Sequence, residues 1–180
     1  MLTIKVLKNE FWDPKNEVFI EVPPTTLNLE HSLISISKWE AIWHIPFLGK
    51  GQKSEEQMRS YVECMTLNKG VDPNVYLGLN ADNYKRINDY ISNPMTASTF
   101  PPEKEQAGKH ETVTSELIYY WMVANFIPFE CEKWHLNRLL TLIKTCSFKN
   151  APPKKLGKNQ LMRNNSALNA ARRAKYHSHG

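Results

Sequence analysis

The chain has 180 residues, of which 41% are hydrophobic and 23% are charged, and its formal net charge is +5. This length and composition suit one compact domain with its own core and exclude a fibrous or wholly disordered chain. No apolar run approaches the roughly 20 residues of a membrane-spanning helix, and the first residues lack the layout of a signal peptide. Because three scattered cysteines do not make a disulfide framework, we expect a cytosolic protein with reduced thiols.

The positive charge is concentrated at the end of the chain. Residues 148–180, called the basic tail below, contain eight Lys and Arg and no Asp or Glu. Residues 1–147 contain 15 basic and 18 acidic residues, a net charge of −3. We therefore expect a globular, α-rich domain at 1–147 and a basic linker with a C-terminal helix at 148–180. Such a tail is typical of segments that bind an acidic protein surface or nucleic acid.

Two β-strands are predicted near the start of the chain. Residues 2–7 alternate between apolar and polar side chains, and residues 18–22 also have the composition of a strand. Between them, residues 13–16 (Asp-Pro-Lys-Asn) have the chemistry of a turn. This pattern predicts that the two strands pair as a hairpin, with a third extended piece at 25–30.

Three amphipathic helices are predicted in the next part of the chain. Ser37 and Glu40 have the spacing of a capping box, which predicts that the first helix begins at Ser37. Ser54 and Gln57 form a second candidate box, followed by apolar residues at helical spacing. A third helix is expected to end at residue 91, after the polar residues that can cap its start.

The strongest helical signal lies at 114–126, which is apolar on nearly all sides, as expected of a central buried helix. Pro128 breaks it, and a second apolar helix is predicted at 130–145. The short connection predicts that these two helices pack as a central antiparallel pair. A further helix at 159–176 has only a thin apolar stripe. The predicted fold is mainly α with a small N-terminal β-hairpin or sheet, an α+β arrangement.

Two features were considered as sites of chemistry. Cys131 and His135 are four residues apart, on one face of the predicted second core helix, but a zinc site needs more ligands than this pair supplies. Neither has the Gly-rich context of a nucleophile elbow. The Gly/Lys-rich residues 49–54 precede a helix but lack the spacing of a phosphate-binding loop. We predict no catalytic residue, no metal and no cofactor.

Binding residues are predicted mainly on the basic tail, where cations are interleaved with amide side chains. Two further candidates lie on the polar side of the second core helix. The complete set of candidate contacts is Lys154, Lys155, Arg163, Arg172, Arg173, Arg138 and Asn137. Charge alone does not separate a protein partner from a nucleic acid.

Several segments resemble a family of small proteins encoded by tailed bacteriophages and prophages. The most specific runs from IYYWM at 118–122 through IPFEC at 127–131 to WHLNRLLTLI at 134–143. Further matching segments are LEHSLISISKWE at 29–40, YVECMTL at 61–67, PMTAST at 94–99 and ALNAARR at 167–173. The resemblance covers most of residues 25–180.

The resemblance implies a tail assembly chaperone of long-tailed phages, a non-enzymatic protein that binds the tape measure protein in the host cytoplasm. Such a protein would cover apolar faces of the tape measure chain until tail tube subunits replace it. The chain departs from this pattern in being basic, since such chaperones are often acidic. If the tail makes the contact, truncation at Ala151 should leave the body folded and abolish binding.

Three alternatives follow in order. The first is a structural virion protein, such as a head–tail connector or minor tail component. The second is a nucleic-acid-binding phage protein that uses the same tail. The third is an enzyme built on Cys131 and His135. No membrane partner is expected, and the sequence leaves open whether the chain forms a homo-oligomer.

Overall fold

The computed structural model describes residues 1–13, 16–100, 112–151 and 157–177. The fold is mainly helical with a small β region at the N-terminus, as predicted. Its contacts divide the chain into two compact units, Met1–Phe148 and Lys149–Gly180. None of the helices in the described ranges is both long and apolar enough to cross a membrane.

The regular elements are as follows. The strands are β1 (Leu2–Val6), β2 (Asn9–Asp13), β3 (Val18–Val22) and β4 (Thr25–Leu29). The α-helices are α1 (Leu33–Trp43), α2 (Glu55–Met65), α3 (Ala81–Ser92), α4 (Ser115–Ala124), α5 (Leu136–Asn150) and α6 (Lys158–Tyr176). Two 3-10 helices span Pro73–Gly78 and Phe129–Lys133.

The strands form two separate antiparallel pairs, β1 with β4 and β2 with β3. The predicted pairing of 2–7 with 18–22 is wrong, because β3 pairs with the unpredicted strand β2. Burial explains the actual pairing of β1. Ile4 lies opposite Leu27 and both are fully buried, so β1 and β4 together present one apolar face to the core.

Helix α1 begins earlier than predicted. Its N-cap is Ser32, whose hydroxyl accepts the backbone N–H of Ser35 at 3.3 Å while the Ser35 hydroxyl accepts the Ser32 N–H at 2.9 Å. The predicted box at Ser37 is therefore wrong, since Ser37 lies inside the helix. The box that starts α2 is confirmed: Ser54 and Gln57 exchange the two expected bonds, at 3.2 and 2.9 Å.

Glu40 has a different role from the predicted cap: it connects α1 to α4. Its buried carboxylate accepts the backbone N–H of Phe47 at 2.7 Å and that of Ser115 at 2.8 Å. Ser115 is the first residue of α4, where a carboxylate also interacts favourably with the helix dipole. Helix α4 thus packs chiefly on α1, and not on α5 as the predicted central pair required.

The predicted second core helix, 130–145, is divided in two. A 3-10 helix, Phe129–Lys133, comes first, and α5 begins only at Leu136. The break has a physical cause, since His135 forms an antiparallel bridge with Ser32, and extended backbone cannot continue a helix. Cys131 and His135 therefore do not share one face of a helix, contrary to the prediction.

Residues 30–32, called the junction below, connect β4 to α1 and contact several distant elements. The N–H of Glu30 donates to the carbonyl of Met65 at 2.9 Å, and its carboxylate accepts the hydroxyl of Tyr90 at 2.7 Å. The carbonyl of His31 accepts the N–H of Leu136 at 2.7 Å. These bonds join the junction to α2, α3 and α5.

His31 of the junction meets a second buried histidine, His135, with the two ring centroids 5.1 Å apart. Nδ1 of His31 is hydrogen-bonded to the hydroxyl of Tyr61. Nδ1 of His135 accepts the N–H of Asn137, so its Nε2 donates to the carbonyl of Tyr90 at 3.0 Å. Burial lowers the pKa of both rings, that of His31 to about 3.

This histidine pair predicts an acid-sensitive fold. An unfolded histidine takes up a proton below pH ~6.5, whereas folded His31 stays neutral until pH falls to about 3. The unfolded state therefore binds more protons, and stability should fall by up to about 1.4 kcal/mol per pH unit for each such histidine. Urea unfolding at pH 7.5 and 5.0 measures this. In His31→Asn the free energy of unfolding should fall less between these two pH values than in the unsubstituted protein. An equal fall in both proteins would assign the acid sensitivity to other groups.

Glu40 provides a second test of the fold. Glu40→Gln replaces one acceptor oxygen by an NH2 group, so the N–H of Phe47 or Ser115 loses its partner inside the core. We expect the free energy of unfolding to fall by about 2–3 kcal/mol in urea titration. Glu63→Gln, at an exposed site on α2, is the matched control and should change it by less than about 0.5 kcal/mol. Equal losses of stability in Glu40→Gln and Glu63→Gln would contradict the role of Glu40 in connecting α1 to α4.

Candidate partner-binding surfaces

Helix α4 leaves much of its apolar surface uncovered. Ile118 and Met122 are fully buried, but Tyr120 and Val123 on the outer side are more than half exposed. With three phenylalanines that follow along the chain they make up a set of exposed apolar residues, called the aromatic surface below. Its members are Tyr120, Val123, Phe126, Phe129 and Phe148. Large apolar side chains that are exposed close to one another mark interaction sites on small proteins.

Phe126 ends α4 in an unusual way. The N–H of Phe126 donates to the carbonyl of Val123 at 3.1 Å, and that of Ile127 to Met122 at 2.9 Å, the two bonds of a Schellman motif. The motif places Phe126 in the left-handed region with φ of 56°, where glycine is normally preferred. Its side chain is 92% exposed. The position therefore carries backbone strain without any packing in return.

The remaining aromatics come from two other elements. The ring of Phe129, in the 3-10 helix, lies 6.3 Å from that of Tyr119 on α4. The hydroxyl of Ser147 donates to Oδ1 of Asn125 at 3.3 Å, which brings the end of α5 to the end of α4. Phe148 follows directly and is 72% exposed. Three elements thus supply large apolar side chains near the end of α4.

The sequence prediction missed this surface because it placed 114–126 at the centre of the fold. One signal was present: a helix that is apolar on nearly all sides has more apolar area than one neighbouring helix can cover. The sequence does not say which side stays exposed, since that depends on the contact with α1.

The two predicted candidates on α5 have different environments. The side-chain amide of Asn137 donates to the carbonyls of Ile91 and Asn93, at 2.9 and 2.8 Å, and so satisfies the end of α3. Arg138 is exposed, with its guanidinium 4.3 Å from the ring centroid of Trp134. Asn137 therefore has a structural task, whereas Arg138 is accessible to a partner.

The predicted candidates on the basic tail are only partly covered by the structure. Arg163, Arg172 and Arg173 lie on α6, where every described side chain is exposed. Lys154 and Lys155 lie outside the described residues. In its described part, the second unit thus presents a single exposed helix with cationic and amide side chains.

The residues considered for chemistry are either buried or involved in packing. Cys131 is buried, and this burial, followed by the charge of Glu130, raises the pKa of its thiol. Lys53, in the Gly/Lys-rich loop, has its ammonium 4.5 Å from the ring centroid of Phe47, and burial lowers its pKa. Within the described ranges, no group of three His, Cys, Asp or Glu side chains is placed to hold a metal ion.

The strain at Phe126 leads to a stability prediction. Phe126→Gly removes the left-handed strain of about 1–2 kcal/mol but makes the unfolded chain more flexible. We expect a net gain of about 0.5–1 kcal/mol, which raises Tm by roughly 1–4 °C in thermal denaturation. Tyr120→Gly, at a side chain that is also exposed (65%) but lies inside α4, should instead lower Tm. A lower Tm for Phe126→Gly would show that the ring contributes to packing.

No family model, curated protein or solved structure matches this chain. A functional proposal therefore depends on the surfaces described above and on the resemblance of the sequence segments to the phage family.

Proposed function

We propose that the protein is a non-enzymatic tail assembly chaperone of a tailed phage, which binds the tape measure protein in the host cytoplasm during tail assembly. The observation that carries this proposal is the aromatic surface, and above all Phe126, exposed in a strained conformation. Strained residues cluster at functional sites, and the exposed ring of Phe126 is not part of the core. The sequence segments that resemble the phage family provide the identity of the partner.

The chemistry of this surface suits a transient protein partner. A tape measure protein is a long helical chain whose apolar faces need covering before the tail tube forms around it. Fully burying one Phe side chain contributes about 1.5–3 kcal/mol, so three phenylalanines supply enough free energy for reversible binding. A helix laid on the exposed aromatics would present its own apolar side chains every three or four residues.

The environments of two cysteines also favour binding over thiol catalysis. Burial raises the pKa of Cys64 to about 11, and the pKa of Cys131 is also raised. At neutral pH both thiols are protonated, and a protonated thiol is a poor nucleophile.

The sequence-based hypothesis placed the contact on the cations of the basic tail, whereas the proposed contact is the aromatic surface. The two hypotheses give opposite results for truncation at Ala151. If the tail makes the contact, binding to the tape measure protein is abolished. If the aromatic surface makes it, most of the affinity stays with residues 1–151.

The direct test is binding of the full-length chain to the tape measure protein of the same phage. Phe126→Ser with Phe129→Ser should weaken binding by at least about tenfold, since two anchors are lost from the interface. Phe19→Ser is the matched control, because Phe19 is similarly exposed (68%) but lies on the β2–β3 hairpin. Equal affinities of all three proteins would refute the proposed surface.

The alternative of a structural virion protein is distinguished by mass spectrometry of purified particles and of infected-cell lysate. A chaperone should be present in the lysate and absent from the particles. A fixed copy number in the particles would instead make the aromatic surface a permanent contact with neighbouring tail proteins.

A further inference from the structure

We infer that α6 is a binding site for double-stranded DNA, separate from the aromatic surface and beyond the proposed chaperone function. The site comprises the exposed cationic and amide side chains of one side of α6. Three properties of α6 favour DNA: its charge, the distribution of its residues around the helix axis, and its dimensions.

The charge of α6 is of one sign. Residues 148–180 have eight basic residues and no acidic one, and α6 includes Arg163, Arg172, Arg173 and Lys175. All four side chains are exposed, so none of them serves the packing of its own unit. An exposed helix of uniform positive charge is complementary to a phosphate backbone, which carries a negative charge every few ångströms.

The side chains best suited to nucleic acid share one side of the helix. At about 100° per residue, Arg172, Asn165, Asn169 and Arg173 fall within an arc of about 100°. Arg163 lies almost opposite Arg172, on the side of the helix where the alanines are. Arginine and asparagine are the residues that most often contact phosphates and the base edges of guanine and adenine.

The dimensions of α6 fit the major groove of B-form DNA. Its 19 residues make a helix about 28 Å long, and a helix with its side chains is roughly as wide as that groove. The deep, narrow major groove of duplex RNA does not admit such a helix. Double-stranded DNA is therefore the favoured form of nucleic acid.

An acidic protein is a poorer fit as the partner of α6. A helix that docks on a protein needs apolar residues three and four apart along one side. The residues three and four places after Leu161 are Asn164 and Asn165, and those after Leu168 are Ala171 and Arg172. The leucines of α6 therefore have no other large apolar side chain three or four places after them.

The experiment measures binding of the full-length protein to a fluorescein-labelled 20-base-pair DNA duplex by fluorescence anisotropy between 50 and 200 mM salt. Arg172→Gln is compared with Arg163→Gln, because both remove one positive charge from the same helix but on opposite sides. We expect binding to weaken steeply with salt. Arg172→Gln should lower affinity severalfold and reduce the slope of log K against log salt by about 0.9, and Arg163→Gln should change affinity less than about twofold.

Four results would overturn the inference. The first is no binding to the duplex at 50 mM salt. The second is an equal loss for the two variants, which would indicate general attraction without a docked face. The third is binding of a polyglutamate peptide that is as tight as binding of the duplex and that Arg172→Gln weakens more than Arg163→Gln does. This result would make the partner an acidic protein. The fourth is a preference for a duplex RNA of equal length.

The failure of this inference is distinguishable from failure of the proposed function. If the aromatic surface makes the contact with the tape measure protein, Arg172→Gln leaves that binding unchanged, whereas Phe126→Ser with Phe129→Ser leaves binding to the DNA duplex unchanged. The single variant and the double variant therefore each affect one binding activity, and each serves as the control for the other.

Discussion

The body of the protein depends on the junction at residues 30–32, where one short stretch of chain pairs with backbone groups at the end of α2 and at the start of α5. Leu136 donates to the carbonyl of His31, Ser32 pairs with His135, and Glu30 donates to Met65. These partners are far apart in sequence, so their bonds form only when the whole domain closes. Burial favours the neutral form of the imidazoles of His31 and His135, because a charged ring there would lose its hydration.

The junction and Glu40 together determine what the outside of the protein presents. Ser32 in the junction caps α1, and Glu40 on the same helix fixes the first turn of α4. Helix α4 is therefore held by its inner side, and its outer apolar side is left uncovered. The motif at its end then holds Phe126 in a left-handed conformation with the ring in solvent. A surface held rigid in this way loses little conformational entropy when a partner binds.

Some local features of this fold could be predicted from the sequence, whereas the non-local ones could not. The box at Ser54 and Gln57 was predicted because its bonds join residues three apart. The start of α5 was missed, because the extended backbone before Leu136 is due to a bridge with Ser32, about a hundred residues earlier. For the candidate surfaces, Arg172 and Arg173 could be identified from composition alone, whereas the exposure of Phe126 depends on which side of α4 meets α1.

The two units carry surfaces that differ in the physical origin of their affinity. Residues 1–147 are slightly acidic and expose aromatic side chains, whose burial does not depend on counterions and is strengthened by salts such as sulfate. The helix of the second unit exposes cations and amides, and its contacts with a polyanion weaken as salt rises. The proposed protein partner and the proposed polyanion would therefore contact different side chains. The basic net charge of the chain comes from the second unit alone.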